Sequence, residues 1–209
     1  MAGTGIAMAE VNKVADHFST VADGYQKAST GVVWGLVRRR ETAAVFTLLG
    51  HLTGKDVLEL GCGAGFYTRH LLANGARHVW AVDISQPMLD QLPKTGVTPL
   101  LADAAAVDPG RTFATMLSAG MLEFVPDPGQ ALRRAADLAE PDARLVVLYP
   151  TVSMLGRAYR RFHARNGLSI GLFDERSLSA LASANGWQLA QTTTAGPYSK
   201  ASLLVRAGR

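Results

Sequence analysis

Residues 56–71 read DVLELGCGAGFYTRHL. A short apolar strand, DVLEL (56–60), runs straight into glycines at alternate positions, Gly61, Gly63 and Gly65, and then into a helical stretch. Glycines spaced this way let the backbone turn sharply and approach a ligand closely, because no Cβ stands in the way. A loop between the carboxyl end of a strand and a helix is where open α/β sheets bind ligands. Outward from it the same rhythm repeats. HVWAVD (78–83), VTPLLA (97–102), TFATMLSA (112–119) and RLVVLYP (144–150) read as strands, separated by the helical TRHLLANG (68–75), QPMLDQL (86–92) and GQALRRAADLA (129–139). Fully apolar strands alternating with helices predict a parallel sheet covered on both faces.

The flanks differ. Residues 4–50 read as helical, with Val11, Val14, Ala15 and Phe18 at helical spacing, a break near Asp23-Gly24, and a second run through Val33, Trp34, Val37, Val45, Phe46 and Leu49. DERSLSALASANG (174–186) reads as a helix ending at Gly186; WQLAQTTT (187–194) and KASLLVRA (200–207) then form an antiparallel hairpin around Ala195-Gly196-Pro197. The expected organisation is a single domain over 1–209: a helical cover (1–50), a core (55–150), an inserted segment (151–172), and a closing helix and hairpin (173–209).

Composition sets the bounds. The chain has 209 residues, 48% hydrophobic and 18% charged, enough apolar material for a sizeable core. One cysteine excludes a disulfide framework and paired-cysteine zinc sites. No apolar run approaches the roughly 20 residues that span a bilayer. The N-terminus, MAGTGIAMAEVNK, lacks the charge pattern of a signal peptide. The expectation is a cytoplasmic protein without a membrane partner. A net charge of +4 is a mild excess, and the lysines are few and scattered, which argues against nucleic acid as a partner.

Asp83 ends the second strand, 24 residues after Glu59, where a carboxylate can take both hydroxyls of a ribose. The plainer alternative is a tight turn followed by an aspartate that caps the next helix. A dinucleotide loop would read G-x-G-x-x-G; here Phe66 stands at the third glycine's place and the glycine comes one position early. No G-x-x-x-x-G-K-[ST] phosphate loop is present either.

The pattern E-x-G-x-G-x-G in VLELGCGAGFYTRHL, followed by AVDIS, resembles motifs I and II of the class I S-adenosylmethionine (SAM)-dependent methyltransferases, over about the central half of the chain. The small-molecule, ubiquinone-type biosynthetic members are the nearest in kind. The resemblance implies a Rossmann-like α/β fold: a seven-stranded, mostly parallel sheet with an antiparallel last strand. It implies SAM as cofactor, S-adenosylhomocysteine (SAH) as product, and a site built from Gly61, Cys62, Gly63 and Gly65, with Glu59 supporting the loop. Asp83 would hold the ribose; Ile84 and Met88 would flank the adenine; Asp103, with Ala104, would meet its amine. Ser118, in SAGMLEFVPD, would lie beside the reactive methyl, with Phe124 where the family usually has histidine. Tyr25 would touch the SAM carboxylate. Asp103 as a simple turn cap, Cys62 as a buried filler, and Ile84 and Met88 as plain core remain the bland alternatives.

For the acceptor, the sequence works by exclusion. There is no Asn/Asp-Pro-Pro-aromatic motif after the fourth strand, no cysteine outside the cofactor loop, and no carboxylate before Glu123 at that strand's end. A metal-independent transfer to a small, partly apolar molecule follows, with an RNA or protein methyltransferase, or a SAM-binding cyclase of the same fold, as alternatives; the protein would be a monomer or homodimer. The segment 151–172 carries Arg157, Arg160, Arg161 and Arg165 without an acid, interleaved with Met154, Tyr159 and Phe162. It reads as an amphipathic lid over the acceptor cavity. Its arginines are either a solvated face or, with Arg38, Arg39 and Arg40, a site for an anionic group. His163 and Tyr149 are the catalytic candidates, His17 and Tyr198 weaker ones.

Overall fold

A computed structural model describes residues 32–208. In chain order the elements are α1 (Val32–Leu49), β1 (Asp56–Leu60), α2 (Phe66–Ala73), β2 (His78–Asp83), α3 (Gln86–Leu89), β3 (Val97–Leu101), β4 (Phe113–Ala119), α4 (Pro128–Asp137), β5 (Ala139–Pro150), α5 (Met154–Arg165), α6 (Glu175–Ala184), β6 (Trp187–Thr194) and β7 (Ser199–Arg206). The strands form one seven-stranded sheet in the order β3-β2-β1-β4-β5-β7-β6. β7 runs antiparallel to β5 and to β6, and the remaining pairs are parallel. This is the expected α/β architecture. The break at Asp23-Gly24, Tyr25 and His17 lie outside the described residues.

Alternation along the strands divides the core in two. Leu58, Leu60, Met116, Leu145 and Val147 pack with Leu132 and Ala135 of α4 and Leu178 and Ala182 of α6. Val57, Leu117, Val146 and Leu148 face the other way, onto Val45, Leu48 and Leu49 of α1 and Leu71 of α2. A two-residue period sends successive side chains to opposite faces, and a strand apolar at every position serves both.

Most element ends shift by one to three residues from the sequence reading, and two regions differ more. β5 begins at Ala139, five residues before Arg144, and its first half is irregular: Asp142 has φ 60° and the register with β4 shifts between Phe113 and Thr115. That half has few buried positions and carries no apolar signal. The inserted segment holds one regular helix, α5, capped by the Ser153 hydroxyl accepting from the Gly156 N–H at 3.0 Å. Gly156 is buried there, and a Cβ on it would run into the Thr151 carbonyl, so α5 starts pressed against the end of β5.

Candidate functional site

The direction of strand progression reverses between β1 and β4, since β2 and β3 follow on one side and β5 on the other. The crevice beyond the carboxyl ends at such a reversal is the natural ligand site of an open α/β sheet. A cleft of about 1180 Å³, counted to its open mouth, occupies that place. Strand order arranges its lining in sequence across the sheet edge: Asp103 after β3, Asp83 at the end of β2, Gly61 to Ala64 after β1, and Ala119 to Met121 from the end of β4 onward. Three strand spacings amount to about 14 Å, so the cleft suits one extended ligand.

The loop after β1 is held from beneath. The N–H groups of Gly61 and Cys62 both donate to the Val82 carbonyl at 2.9 Å, and Arg69 donates to the carbonyls of Ala64 and Gly65 at 2.6 and 2.9 Å. Gly61, Gly63 and Gly65 have φ of 73°, 52° and 82°, the left-handed region that glycine alone enters freely. A Cβ on Gly61 would stand 2.5 Å from the Met121 side chain, and one on Gly65 2.6 Å from Leu92. At Gly63 it would meet nothing within 4 Å; Gly63 lines the cleft.

Asp83 lines the cleft and fastens the loop. One carboxylate oxygen accepts from the Gly63 N–H at 2.8 Å, the other from the Ser85 N–H at 3.0 Å. Burial raises its carboxyl above the ordinary value, against the pull of these backbone donors. Ser85, not Asp83, occupies the N-cap of α3. Glu59 lies behind the loop, fully buried, accepting from the Thr68 hydroxyl at 2.6 Å. Burial pushes its carboxyl up to about 8 despite that hydrogen bond, and the nearby Asp83 adds to the rise. Ile84, Met88, Asp103 and Ala104 also line the cleft, and Asp103 ties one oxygen to the Ala105 N–H at 2.8 Å. Cys62 lines it as well, its thiol pushed up chiefly by burial.

Apolar side chains make up much of the remaining lining: Phe66 and Tyr67 at the start of α2 and Met121, Phe124 and Val125 after β4, with Arg38 placed over the Phe66 ring at 4.9 Å. Phe66 and Tyr67 open α2 directly after the last loop glycine, a position whose outlook onto the cleft the sequence reading missed.

The acceptor-side candidates separate. Ser118 is buried and absent from the lining, whereas its neighbours Ala119 and Gly120 are part of it. Tyr149 is not brought to the cleft: it is 1% exposed, its hydroxyl 3.0 Å from the Ser202 hydroxyl, on the α4–α6 face. His163 is half-buried on the inner face of α5. Its ring centroid lies 4.5 Å from that of Tyr159 and 5.3 Å from that of Phe124, and Tyr159 in turn stacks on Tyr198 at 5.0 Å. Met154 and Phe162 turn outward instead of covering the cavity, as do Arg157, Arg160, Arg161 and Arg165.

Glu123 is a buried group that sequence motifs did not single out as functional. Its Oε1 lies 3.7 Å from where a Cβ on Gly120 would stand, and its Oε2 has no hydrogen-bond partner among the described residues. Burial pushes its carboxyl up to about 8, from an ordinary 4.5. Between those values the folded chain keeps a proton that the unfolded chain releases. The associated stability is fully present below about pH 4.5 and is lost as pH rises through about 8. Glu123→Gln removes this titration. In thermal melts it is expected to raise the melting temperature by about 5 °C near pH 8.5 and to change it little near pH 5. An equal shift at both pH values would mean that the carboxyl does not titrate in this way.

The sequence model of the methyltransferase-domain family matches residues 36–192, and the chain belongs to that family. Its fold and its glycine loop are those of the class I SAM-dependent methyltransferases. Among curated relatives, the ubiquinone biosynthesis O-methyltransferase of Stutzerimonas stutzeri is 29% identical over 116 residues, 52% of this chain and 49% of that protein. The ribosomal RNA small subunit methyltransferase A of a Jannaschia species is 42% identical over 100 residues, 48% of this chain and 28% of that one. The chain thus spans at most about half the length of these relatives. Among solved structures, magnesium protoporphyrin IX methyltransferase from Synechocystis with bound SAH superposes with a TM-score of 0.74 at 21% identity, covering 95% of this chain and 100% of that one. That likeness concerns the fold.

Proposed function

We propose that the protein transfers the methyl group of SAM to a small, partly apolar acceptor by direct displacement, without a metal ion. The observation that carries the reading is the order of groups along the cleft: Asp103, Asp83, the glycine loop, then the apolar wall beyond β4. A nucleoside carrying an amino-acid arm has its complements in that order. Asp103 accepts from an exocyclic amine, Ile84, Met88 and Ala104 sandwich a base, Asp83 accepts from ribose hydroxyls, and Gly61 to Gly65 admit the arm at backbone distance. SAM supplies a methyl on an already activated sulfonium, so the chain's task is to align an acceptor and keep water out. Phe66, Tyr67, Met121 and Phe124 do this by shape and apolar contact, which suits an acceptor with an apolar body. A base is needed only where the acceptor must lose a proton. His163, in ring contact with Phe124, is our candidate; Tyr149, bonded to Ser202 away from the cleft, is not. Metal independence rests on Ser118-Ala119-Gly120, which puts no carboxylate at the end of β4.

The experiment is incubation with methyl-labelled SAM and an extract of the source cells, followed by fractionation of the label. Label in a small organic-soluble product that persists in the presence of a chelator is the expected outcome. Label confined to RNA or protein would replace this reading with a macromolecular one. SAM consumed without transfer of label would favour a cyclase of the same fold.

A further inference from the structure

α5 carries two parallel rows of side chains on its outer surface. Met154, Ala158 and Phe162 follow one another at four-residue intervals, as do Arg157, Arg161 and Arg165. Residues four apart in a helix lie one above the other, so an apolar row runs beside a basic row. Both are turned to solvent: Met154 is 85% exposed, Phe162 60% and the adjoining Leu155 55%. Val152, just before the helix, is exposed as well. Four of the six large hydrophobic residues most exposed among the described residues thus fall within 152–162. The helix holds no acid, and none of its four arginines forms an ion pair among the described residues.

We propose that this face of α5 seats the protein on an anionic bilayer surface. The two rows match what such a surface offers: apolar side chains enter the boundary between headgroups and acyl chains while the arginines meet anionic headgroups. Charge decides against the other occupants. A second copy of the same face would set arginine rows against each other with no acid to pair them. The phosphates of an RNA would satisfy the arginines and leave Met154, Leu155 and Phe162 without an apolar destination. No helix among the described residues is long and apolar enough to cross a membrane, so this is contact from one side. The inner face of the same helix brings His163 against Phe124, which lines the cleft. A bilayer under α5 therefore lies about one helix diameter, roughly 10 Å, from the apolar end of the cleft, and an acceptor dissolved in lipid has a short path to it. That consequence rests on the methyl-transfer reading; the seating itself does not.

The test is flotation of the full chain with extruded vesicles of phosphatidylcholine, with and without phosphatidylglycerol. The chain is expected to float with phosphatidylglycerol vesicles at low salt, to be released at high salt, and to stay behind with phosphatidylcholine alone. Arg157→Gln, Arg161→Gln and Arg165→Gln together should lower partitioning about a hundredfold. Met154→Ser with Phe162→Ser should lower it more than about tenfold. Both variants should keep wild-type affinity for SAH in calorimetry, which shows that they are folded. Absence of flotation, equal flotation with both vesicles, or full binding by the arginine variant would overturn the proposal. So would a wild-type chain that ignores vesicles but forms a dimer dispersed by the Met154 and Phe162 changes, or one held only by an acidic protein or RNA.

Discussion

Gly61→Ala yields a chain that no longer binds SAH measurably and is less stable by about 3 kcal/mol. Two costs coincide at this position. The backbone φ of 73° is left-handed, a region that costs a residue with a Cβ about 1–2 kcal/mol. The new Cβ would also stand 2.5 Å from Cβ and Cγ of Met121, and the Met121 Cα is only 3.7 Å away. A side-chain rotation cannot clear this contact, because the Met121 Cβ is fixed by its own backbone. Either the loop after β1 or the segment after β4 must move. The loop is tied by the Gly61 and Cys62 N–H groups to Val82, so both walls of the cleft shift together. Gly63→Ala makes the control. Its Cβ meets no protein atom within 4 Å, so its stability loss is the backbone cost alone, about 1 kcal/mol, while its methyl still projects where the ligand is to lie. Calorimetric titration with SAH and thermal denaturation of both variants separate packing from ligand contact. Undiminished SAH affinity in both would remove the loop from the binding site.

The same loop shows why much of the fold was legible in the sequence. β1, β2 and β6 fall where their apolar or alternating runs place them, at 56–60, 78–83 and 187–194. β1 ends before Gly61 and β6 begins after Gly186, both glycines at positive φ. Strands covered on both faces leave a run of branched and apolar residues that nothing else in the chain imitates. The first half of β5 left no such mark, because Ala139 to Asp142 are only partly buried or exposed and pass through a positive φ.

Where the motif's residues gather was also legible, since every residue it marks from Gly61 to Ala104, apart from the packed Gly65, lines the cleft. The acceptor side was not, for two physical reasons. Helical periodicity in 151–172 shows that α5 has two faces but not which one turns inward. The inward face is Gly156, Tyr159 and His163, less apolar by composition than the outward row of Met154, Ala158 and Phe162. Tyr149 ends a strand and so suggested a place at the mouth. Yet a count by twos from Leu145 through Val147 puts it on the face that α4 and α6 cover, where Ser202 meets its hydroxyl. Arg38 and Tyr67 reach the cleft from helices whose approach no local pattern encodes.

Asp83→Ala weakens SAM and SAH binding by about 2–3 kcal/mol, roughly 30- to 150-fold. The carboxylate lines the cleft and has two oxygens, one accepting from the Gly63 N–H and the other from the Ser85 N–H, with the Ile84 N–H also turned to it, and lone pairs remain for a ligand. On the proposed reading those lone pairs accept the two ribose hydroxyls; a hydrogen bond to an ionised group contributes about 1.5–3 kcal/mol, and water that enters the space left by the carboxylate recovers part of the pair. Part of the loss arises from loosening of the Gly63 peptide, and Asp83→Asn separates the two contributions. An asparagine keeps one acceptor oxygen, enough to hold the Gly63 N–H, but its amide nitrogen donates where the second oxygen accepted, so the Ser85 N–H loses its acceptor. If Asp83 only fastens the loop, the asparagine variant binds nearly as well as wild type. If it also holds the ribose, the asparagine variant falls most of the way to the alanine one, because a donor faces a hydroxyl and the charge is gone. The comparison sharpens with 2′-deoxy and 3′-deoxy analogues of SAH, which lose affinity against wild type and lose little against either variant. Calorimetry on the three proteins with the three ligands gives a double-mutant cycle whose coupling energy measures the contact itself. A coupling energy near zero would leave Asp83 as a fastener of the loop.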